Sequence, residues 1–301
     1  MKIFLTGGTG VVGTRALPAL VALGHQVTAV ARGSEKADLV RRLGGEPVTV
    51  DLFDAAAVEA AVVGSEAVVH LATNIPDLTK ASRASAWATN ERLRREASRN
   101  LVDAALAAGA ERYVQESICF PYLDAGDEWI DEDHPVDHVG PFAGAGVAEA
   151  QAARFTTAGG QGVVLRFAQF YADDSSHLPV LNRLLRLRLN PFFGPPEAYS
   201  SFIHAEDAGA AVAAALGAPA GTYNVGDDEP LRRAEAGAAA AESLGLRPPR
   251  TIPAPMLRLA GSTAGLLTRS LRVSNARLRA ATGWAPSHVS LRGSWPETRP
   301  A

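Results

Sequence analysis

The sequence of 301 residues predicts a doubly wound α/β protein, a parallel sheet covered by helices on both faces, with a smaller C-terminal lobe. Three observations lead there. Unbroken apolar runs of strand length alternate with Ala- and Leu-rich stretches of helical period through the first 168 residues. Such runs suit strands buried on both faces, which do not alternate in polarity. A glycine-rich turn, Thr6-Gly7-Gly8-Thr9-Gly10-Val11-Val12-Gly13, follows the first run at once and opens the first helix.

The elements follow in order. Strands are expected at 2–6, 26–31, 46–50, 67–71, 112–116 and 163–167. Helices are expected between them at 11–23, 35–43, 55–63, 83–108 and 147–158. Regular alternation of this kind builds a parallel sheet by right-handed crossovers. After residue 168 the regularity fails: Pro179, Pro191, Pro195 and Pro196 break the chain, 205–216 is one more helix, and a Pro-rich stretch spans 247–255. The expected division is therefore a nucleotide-binding domain over 1–168 and a substrate-binding lobe over 169–301, with a discontinuous boundary.

Composition excludes several classes. Lys and Arg number 29 against 32 Asp and Glu, a net charge of −3, so neither nucleic acid nor an anionic membrane is expected as a partner. The single cysteine, Cys119, can form no internal disulfide and no Cys-rich metal site. No apolar run approaches the ~20 residues of a membrane span, and only Ile3-Phe4-Leu5 precede the glycines, so no secretory signal is read and a cytoplasmic protein is expected.

The glycine turn carries the first chemistry. Gly7 permits the tight turn, Gly10 lets backbone N–H groups approach a pyrophosphate, and Gly13 lets helix and strand pack closely. Thr9, Val11 and Val12 present their backbone at the same place, where the helix N-terminus adds partial positive charge. About 20 residues on, an Asp or Glu would accept from a ribose 2′-OH. Here Ala31-Arg32-Gly33-Ser34 stands instead. Arg32 offers a planar fork for a 2′-phosphate and Ser34 a further donor, which favours NADP(H) over NAD(H). Asp51, at the end of the third strand beside Leu52, suits the adenine amino group; a helix N-cap is its rival role.

These residues, with several later motifs, make the chain resemble the extended short-chain dehydrogenase/reductases, the NAD(P)-dependent epimerase/dehydratase-like family with a Rossmann domain. The glycine turn matches the family's TGxxGxxG, and His70-Leu71-Ala72-Thr73 resembles its HxAA segment at the nucleotide ribose. Asn90 resembles a structural Asn, and Ser201-Phe202-Ile203-His204-Ala205-Glu206-Asp207 resembles its IHVxD element. Tyr223-Asn224-Val225-Gly226 and Gly283-Trp284-Ala285-Pro286 complete the likeness. The resemblance implies cofactor contacts at Gly7, Thr9, Gly10, Val11, Val12, Gly13, Arg32, Ser34, Asp51, Leu52, Leu71, Ala72, Thr73 and Gln169.

The catalytic pattern departs from the family. Its members carry a Ser after the fifth strand and a Tyr-x-x-x-Lys on the next helix, where Tyr is the general acid/base and Lys lowers its pKa and holds the nicotinamide ribose. Ser117 keeps the first place and is expected to bind the substrate carbonyl, but Phe142 stands at the Tyr position and Gly146 at the Lys. Losing a general acid typically costs ~10²–10⁴-fold in rate. The Arg before IHVxD, which would hold a sugar-nucleotide diphosphate, is Ser201; Arg183, Arg186 and Arg188 are nearby substitutes or a solvated helix face.

Three functions fit this departure. The favoured one is NADPH-dependent reduction of a ketone on an aromatic or polycyclic, polyketide-type metabolite of antibiotic biosynthesis. A neighbouring phenol or enol of the substrate then supplies the proton. Tyr122, Gln169 and Tyr199 are candidate supporting contacts, and Phe120, Phe142, Phe170, Phe192 and Phe193 could line a flat apolar site. The second is a non-catalytic NADP(H) sensor or scaffold, and the third a nucleotide-sugar epimerase or dehydratase. No metal is expected: His134 and His138 sit in an acidic loop read as solvated, and His204 is read as structural or substrate-side. Arg92, Arg94, Arg95 and Arg99 charge the fourth helix, through which many relatives dimerise, so the choice between monomer and homodimer leans to monomer.

Overall fold

A computed structural model describes residues 1–76, 83–251 and 268–297. The first half alternates strand and helix: β1 (Lys2–Thr6), α1 (Gly13–Ala22), β2 (Gln26–Val30), α2 (Ser34–Arg42), β3 (Glu46–Val48), α3 (Ala55–Val62) and β4 (Ala67–His70). Then come α4 (Ala88–Arg92), α5 (Ser98–Ala107), β5 (Arg112–Ile118), β6 (Trp129–Ile130), α6 (Ala143–Thr157) and β7 (Gln161–Phe167). The six expected strands are present, each within two residues of its expected end. They form a parallel sheet with a seventh strand, β11 (Gly221–Val225), added at the β7 edge. The order β11-β7-β5-β4-β1-β2-β3 reverses direction beside β1, which places a ligand crevice at the carboxyl ends of β1 and β4.

Residues that alternate along each strand feed two cores. Ile3, Leu5, Val69, Val114 and Leu165 face α1 and α8 (Ala205–Ala215) on one side. Phe4, Val68, Tyr113 and Val164 face α3, α5 and α6 on the other. Thus α8 and β11 return to the sheet layer after residue 168, with α8 packed along α1. Between and beyond them lie β8 (Gln169–Tyr171), α7 (Leu178–Arg186), β9 (Tyr199–Ser200), β10 (Phe202–His204), β12 (Leu231–Arg232), α9 (Arg233–Ser243), β13 (Arg272–Val273) and α10 (Ala276–Thr282). Phe192, Phe202, Leu231 and Trp295 build the separate core of this lobe. The Pro-rich stretch expected over 247–255 lies outside the described residues from 252 onward.

The fourth helix differs from its expected form. Instead of one helix over 83–108, a 3₁₀ turn (Ala84–Trp87) leads into α4, a π-turn (Leu93–Ala97) follows, and α5 completes the length. The wide turn rotates Arg94 into the interior, where it pairs with Glu116, while the Ser98 hydroxyl donates to the Arg94 carbonyl at 2.6 Å.

The turn after β1 has no room for a side chain at Gly7 or Gly13. A Cβ at Gly13 would overlap the Gly7 carbonyl oxygen, and this close approach seats α1 against β1. Gly13→Ala is accordingly expected to lower unfolding free energy by about 1–3 kcal/mol, as read from urea unfolding.

Candidate active site

The nucleotide end is built from backbone. Gly7 has φ 77°, and a Cβ there would stand 2.5 Å from the Leu71 carbonyl carbon and 2.6 Å from Ala72 N, so the turn lies against the end of β4. Gly10 N–H donates to the Gly7 carbonyl at 3.0 Å, closing the loop that presents Thr9, Val11 and Val12. This bare, tightly wound cradle before α1 fits a diphosphate. At the end of β2, Arg32 is exposed, and Gly33 at φ 85° caps α2, whose first residue is the exposed Ser34. Arg32 and Ser34 therefore flank a helix N-terminus, an arrangement suited to a phosphate. Asp51 is exposed and its Oδ1 accepts from Phe53 N at 3.0 Å. The cap of α3 is Asp54, which accepts from Ala57 N at 3.1 Å, so the rival role of Asp51 falls to its neighbour. Leu52 is buried and its carbonyl accepts from Asn100 Nδ2.

The segment after β4 is held from beneath. His70 is buried with Nδ1 2.6 Å from the Thr6 hydroxyl, and burial lowers its pKa to about 4, so it stays neutral and structural. Asn90 Oδ1 accepts from Asn74 N at 3.0 Å, fixing the path beyond Leu71, Ala72 and the exposed Thr73.

The catalytic corner holds the chief surprises. Ser117 is fully buried and its hydroxyl donates to Glu149 Oε1 at 2.6 Å. Its hydroxyl proton is therefore committed to a carboxylate, whereas the sequence places Ser117 at a substrate carbonyl. Glu149, on α6, is also gripped by Arg166 of β7, with Nε at 2.9 Å and Nη2 at 2.7 Å. Burial alone would push the Glu149 carboxyl up; the adjacent His138, hydrogen bonds from Arg166 and Ser117, and the Arg166 charge bring it down to about 2. Arg166 Nη1 donates to the Tyr122 hydroxyl at 2.8 Å, which donates to Asn224 Oδ1 at 2.8 Å. Asn224 N–H in turn donates to Glu132 Oε1 at 2.8 Å, and Arg277 approaches Glu132 at 3.1 Å.

Phe142 is buried, stacked on Phe120 with centroids 5.8 Å apart and meeting the edge of Trp87 at 6.5 Å. Opposite Gly146 stands His138: a Cβ at position 146 would lie 2.8 Å from its Cγ. His138 Nε2 is 3.8 Å from Glu149 Oε2. A second buried pair lies behind the corner, with Arg94 Nη2 at 2.9 Å from both oxygens of Glu116. Burial raises the Glu116 carboxyl more than Arg94 lowers it.

Other expectations are redistributed. The five phenylalanines do not line one surface: Phe120 and Phe142 pair, Phe170 packs on Phe167, Phe192 sits in the lobe core and Phe193 is exposed. Tyr122 is buried in the Arg166 network, and Tyr199 lies against the Arg232 and Arg272 guanidinium groups. Gln169 is half-buried at the start of β8. Ser201 donates to the Leu271 carbonyl and accepts from Val273 N, both at 2.9 Å. Arg183, Arg186 and Arg188 are exposed. The loop read as solvated is instead an anchor, since Glu132 is buried and His138 covers α6. The fourth helix is not a bare cationic face either: Arg94 is inside, Arg92 pairs with Glu96 and Arg95 with Glu91.

Among the described residues, His204, Glu206 and His288 bring possible metal-ligand atoms within 4.8 Å of one another. The two rings stack at 3.8 Å, and His204 Nδ1 accepts from Glu206 N–H at 3.3 Å, which leaves its remaining proton on Nε2. That tautomer opposes metal binding by His204. No helix among the described residues is long and apolar enough to cross a membrane.

The sheet, the turn and the corner together define a nicotinamide-dinucleotide enzyme of the short-chain dehydrogenase/reductase type. The chain belongs to the NAD dependent epimerase/dehydratase family, whose pattern it matches over residues 3–226. It is 37% identical to a 3-diazoavenalumate denitrifying reductase of a Streptomyces species, over 97% of this chain and 98% of that one. It is 32% identical over 197 residues to a 4-hydroxy-2-methyl-3-oxo-4-farnesyl-3,4-dihydroquinoline-1-oxide ketoreductase of Stigmatella aurantiaca, covering 62% of this chain and 56% of that one. Its fold is similar to that of MoeE5 in complex with UDP-glucose and NAD, with TM-score 0.77, 20% identity and coverage of 97% and 96%. It is likewise similar to the human epimerase family protein SDR39U1 with NADPH, with TM-score 0.77, 22% identity and 97% of each chain covered. The reductases among these relatives support an oxidoreductase that uses a nicotinamide dinucleotide.

Glu149 sets the acid behaviour of the corner. Its folded pKa of about 2 lies below the ordinary 4.5, so its contribution to stability is complete above pH 4.5 and lost as pH falls toward 2. Glu149→Gln should flatten that part of the stability–pH curve. Arg166→Met, which strands the buried carboxylate, should cost about 3–5 kcal/mol in denaturant unfolding at neutral pH.

Proposed function

We propose that the chain is an NADPH-dependent reductase of an aromatic small molecule, working on an acceptor that needs no proton from a protein tyrosine. The observation that carries this reading is the pairing of an intact nucleotide cradle with a corner where Phe142 and Gly146 replace acid and lysine. Bound there, the cofactor supplies a hydride. Gly7, Gly10 and Gly13 hold its diphosphate, Arg32 and Ser34 its 2′-phosphate, and Asp51 its adenine. Trp87, Phe120 and Phe142 offer an apolar aromatic cluster beside which a flat ring can be oriented. Cytoplasmic location belongs to the same proposal.

Two acceptors meet the constraint. A ketone beside a phenol or enol protonates its own oxygen by tautomerising. An aryl diazonium needs no proton at all: one hydride replaces the diazonium group, giving the arene and N₂ with charge and atoms balanced. The full-length likeness to a denitrifying reductase favours the second acceptor, and the partial likeness to a ketoreductase the first. A sugar nucleotide suits the site poorly, because Ser201 is committed to Leu271 and Val273 and the nearby arginines face solvent.

The direct test follows NADPH absorbance with hydroxyaryl ketones of the naphthoquinone type and with ortho-hydroxyaryl diazonium salts, and measures N₂ release for the latter. Consumption with either class is expected. Binding of NADPH with no consumption by either would defeat the reductase and leave the sensor. Arg32→Ala should weaken NADPH about tenfold, the scale of one charge-assisted contact, and leave NADH unchanged in an equilibrium titration; equal losses would remove the 2′-phosphate role.

A further inference from the structure

Position 146 is more than a deletion. Gly146 lies in the first turn of α6, four residues after Phe142, and its missing side chain leaves a hollow on the face of the helix. An imidazole fills that hollow: a Cβ at 146 would lie 2.8 Å from His138 Cγ and 2.9 Å from Nδ1. The loop that delivers His138 is pinned at both ends. Glu132 is buried against Asn224 N–H and Arg277, and Asp137 accepts from Arg269 at 2.8 Å while its N–H donates to the Pro121 carbonyl at 2.7 Å.

Behind the ring lies the Glu149 carboxylate, 3.8 Å from Nε2 and fixed by Ser117 and Arg166. Nε2 is buried and, at that separation, just outside hydrogen-bond length. Catalytic hydrogen bonds are often long in an empty site and tighten in the complex. A carboxylate on one side of an imidazole keeps a proton on the nitrogen that faces it, as carboxylate–histidine pairs do elsewhere. Nδ1 is then left, on the side of the bare helix face, to accept from a hydroxyl, or to donate to one when the ring is charged.

We propose that His138 is a cofactor-binding residue, its imidazole meeting a hydroxyl of the nicotinamide ribose in the space that the family's lysine would occupy, with Glu149 as its positioning partner. The assignment rests on the proposed use of NADPH. It also assigns a purpose to the Ser117–Glu149–Arg166 network: the serine hydroxyl is committed to the carboxylate, and the carboxylate it steadies orients the histidine.

The test compares NADPH with adenosine 2′,5′-bisphosphate, which carries the adenine end and 2′-phosphate but no nicotinamide ribose. In titrations of His138→Phe, which keeps a ring of similar size, NADPH affinity should fall about tenfold while adenosine 2′,5′-bisphosphate affinity stays at the wild-type value. His138→Asn, which can present a polar atom near the place of Nδ1, should recover part of the NADPH affinity. The double variant His138→Ala with Gly146→Lys, whose lysine enters the vacated hollow, should recover most of it. Unchanged NADPH binding in His138→Phe, equal loss of both ligands, or no recovery in either of the other variants would overturn the assignment. A wild-type protein that binds the bisphosphate but gains nothing from the nicotinamide half would overturn it too, whereas one that binds neither ligand would sink the NADPH reading beneath it.

Discussion

The Glu149 carboxylate joins more of this molecule than any sheet hydrogen bond does. It sits on α6 yet accepts hydrogen bonds from Ser117 on β5 and Arg166 on β7, and the same arginine reaches Tyr122 and, through it, Asn224 on β11. Three strands, one helix and the 131–138 loop are therefore registered at the carboxyl edge of the sheet by a single buried charge and its partners. Removing a carboxylate from water costs several kcal/mol, and only geometry this complete offsets it. Helix α6 is held in place by Glu149, three residues beyond Gly146, so neither position 142 nor 146 needs a polar side chain to stay where it is.

Freed from that need, the corner has become apolar on one side and ionic on the other. Phe142 stacks with Phe120 and abuts Trp87, forming an aromatic wall. The buried Arg94–Glu116 pair behind it depends on the π-turn that rotates Arg94 inward. A regular helix would leave Arg94 on another face, and Glu116 would then be a buried carboxylate without a cation. The π-turn and the ion pair thus require each other.

Much of this was legible in the residues. Continuous apolar strands and the turn from Gly7 to Gly13 announced the sheet and its crevice, because both signals are local and periodic. The π-turn was not legible, since Arg83–Ala108 has an uninterrupted helical composition and only the distant Glu116 rewards the rotation of Arg94. Motif spacing places Ser117 beside a substrate carbonyl but cannot tell that its hydroxyl meets Glu149. Its partner Glu149 lies 32 residues away and Arg166 lies 49 away, so their meeting is purely tertiary. The loop holding His134 and His138 read as solvated because its composition is acidic and Pro-containing. The glycine at 146 was the available clue: a missing side chain in the first turn of a packed helix leaves space that another residue must fill. Strand β11 escaped notice because Gly221–Val225 is short and half polar, and it is fixed by register with β7 rather than by its own pattern.

The geometry also bounds which hydride acceptors such a corner can serve. Loss of a positioned general acid costs roughly 10²–10⁴-fold, whereas holding two reactants in near-attack geometry can supply as much as ~7–11 kcal/mol of the barrier. Positioning can therefore outweigh the missing tyrosine, but only when the acceptor does not build up an oxyanion that must wait for a proton. Ordinary isolated ketones build up that charge, and Phe142 can do nothing to neutralise it. Acceptors that carry a formal positive charge, or an internal proton donor beside the carbonyl, do not impose the same demand. They are also flat and aromatic, which matches a wall of Trp87, Phe120 and Phe142 better than the hydroxyl-studded surface of a sugar. In the proposed reductase, Phe142 at the place of a general acid thus favours substrates whose own electronic structure completes the transfer.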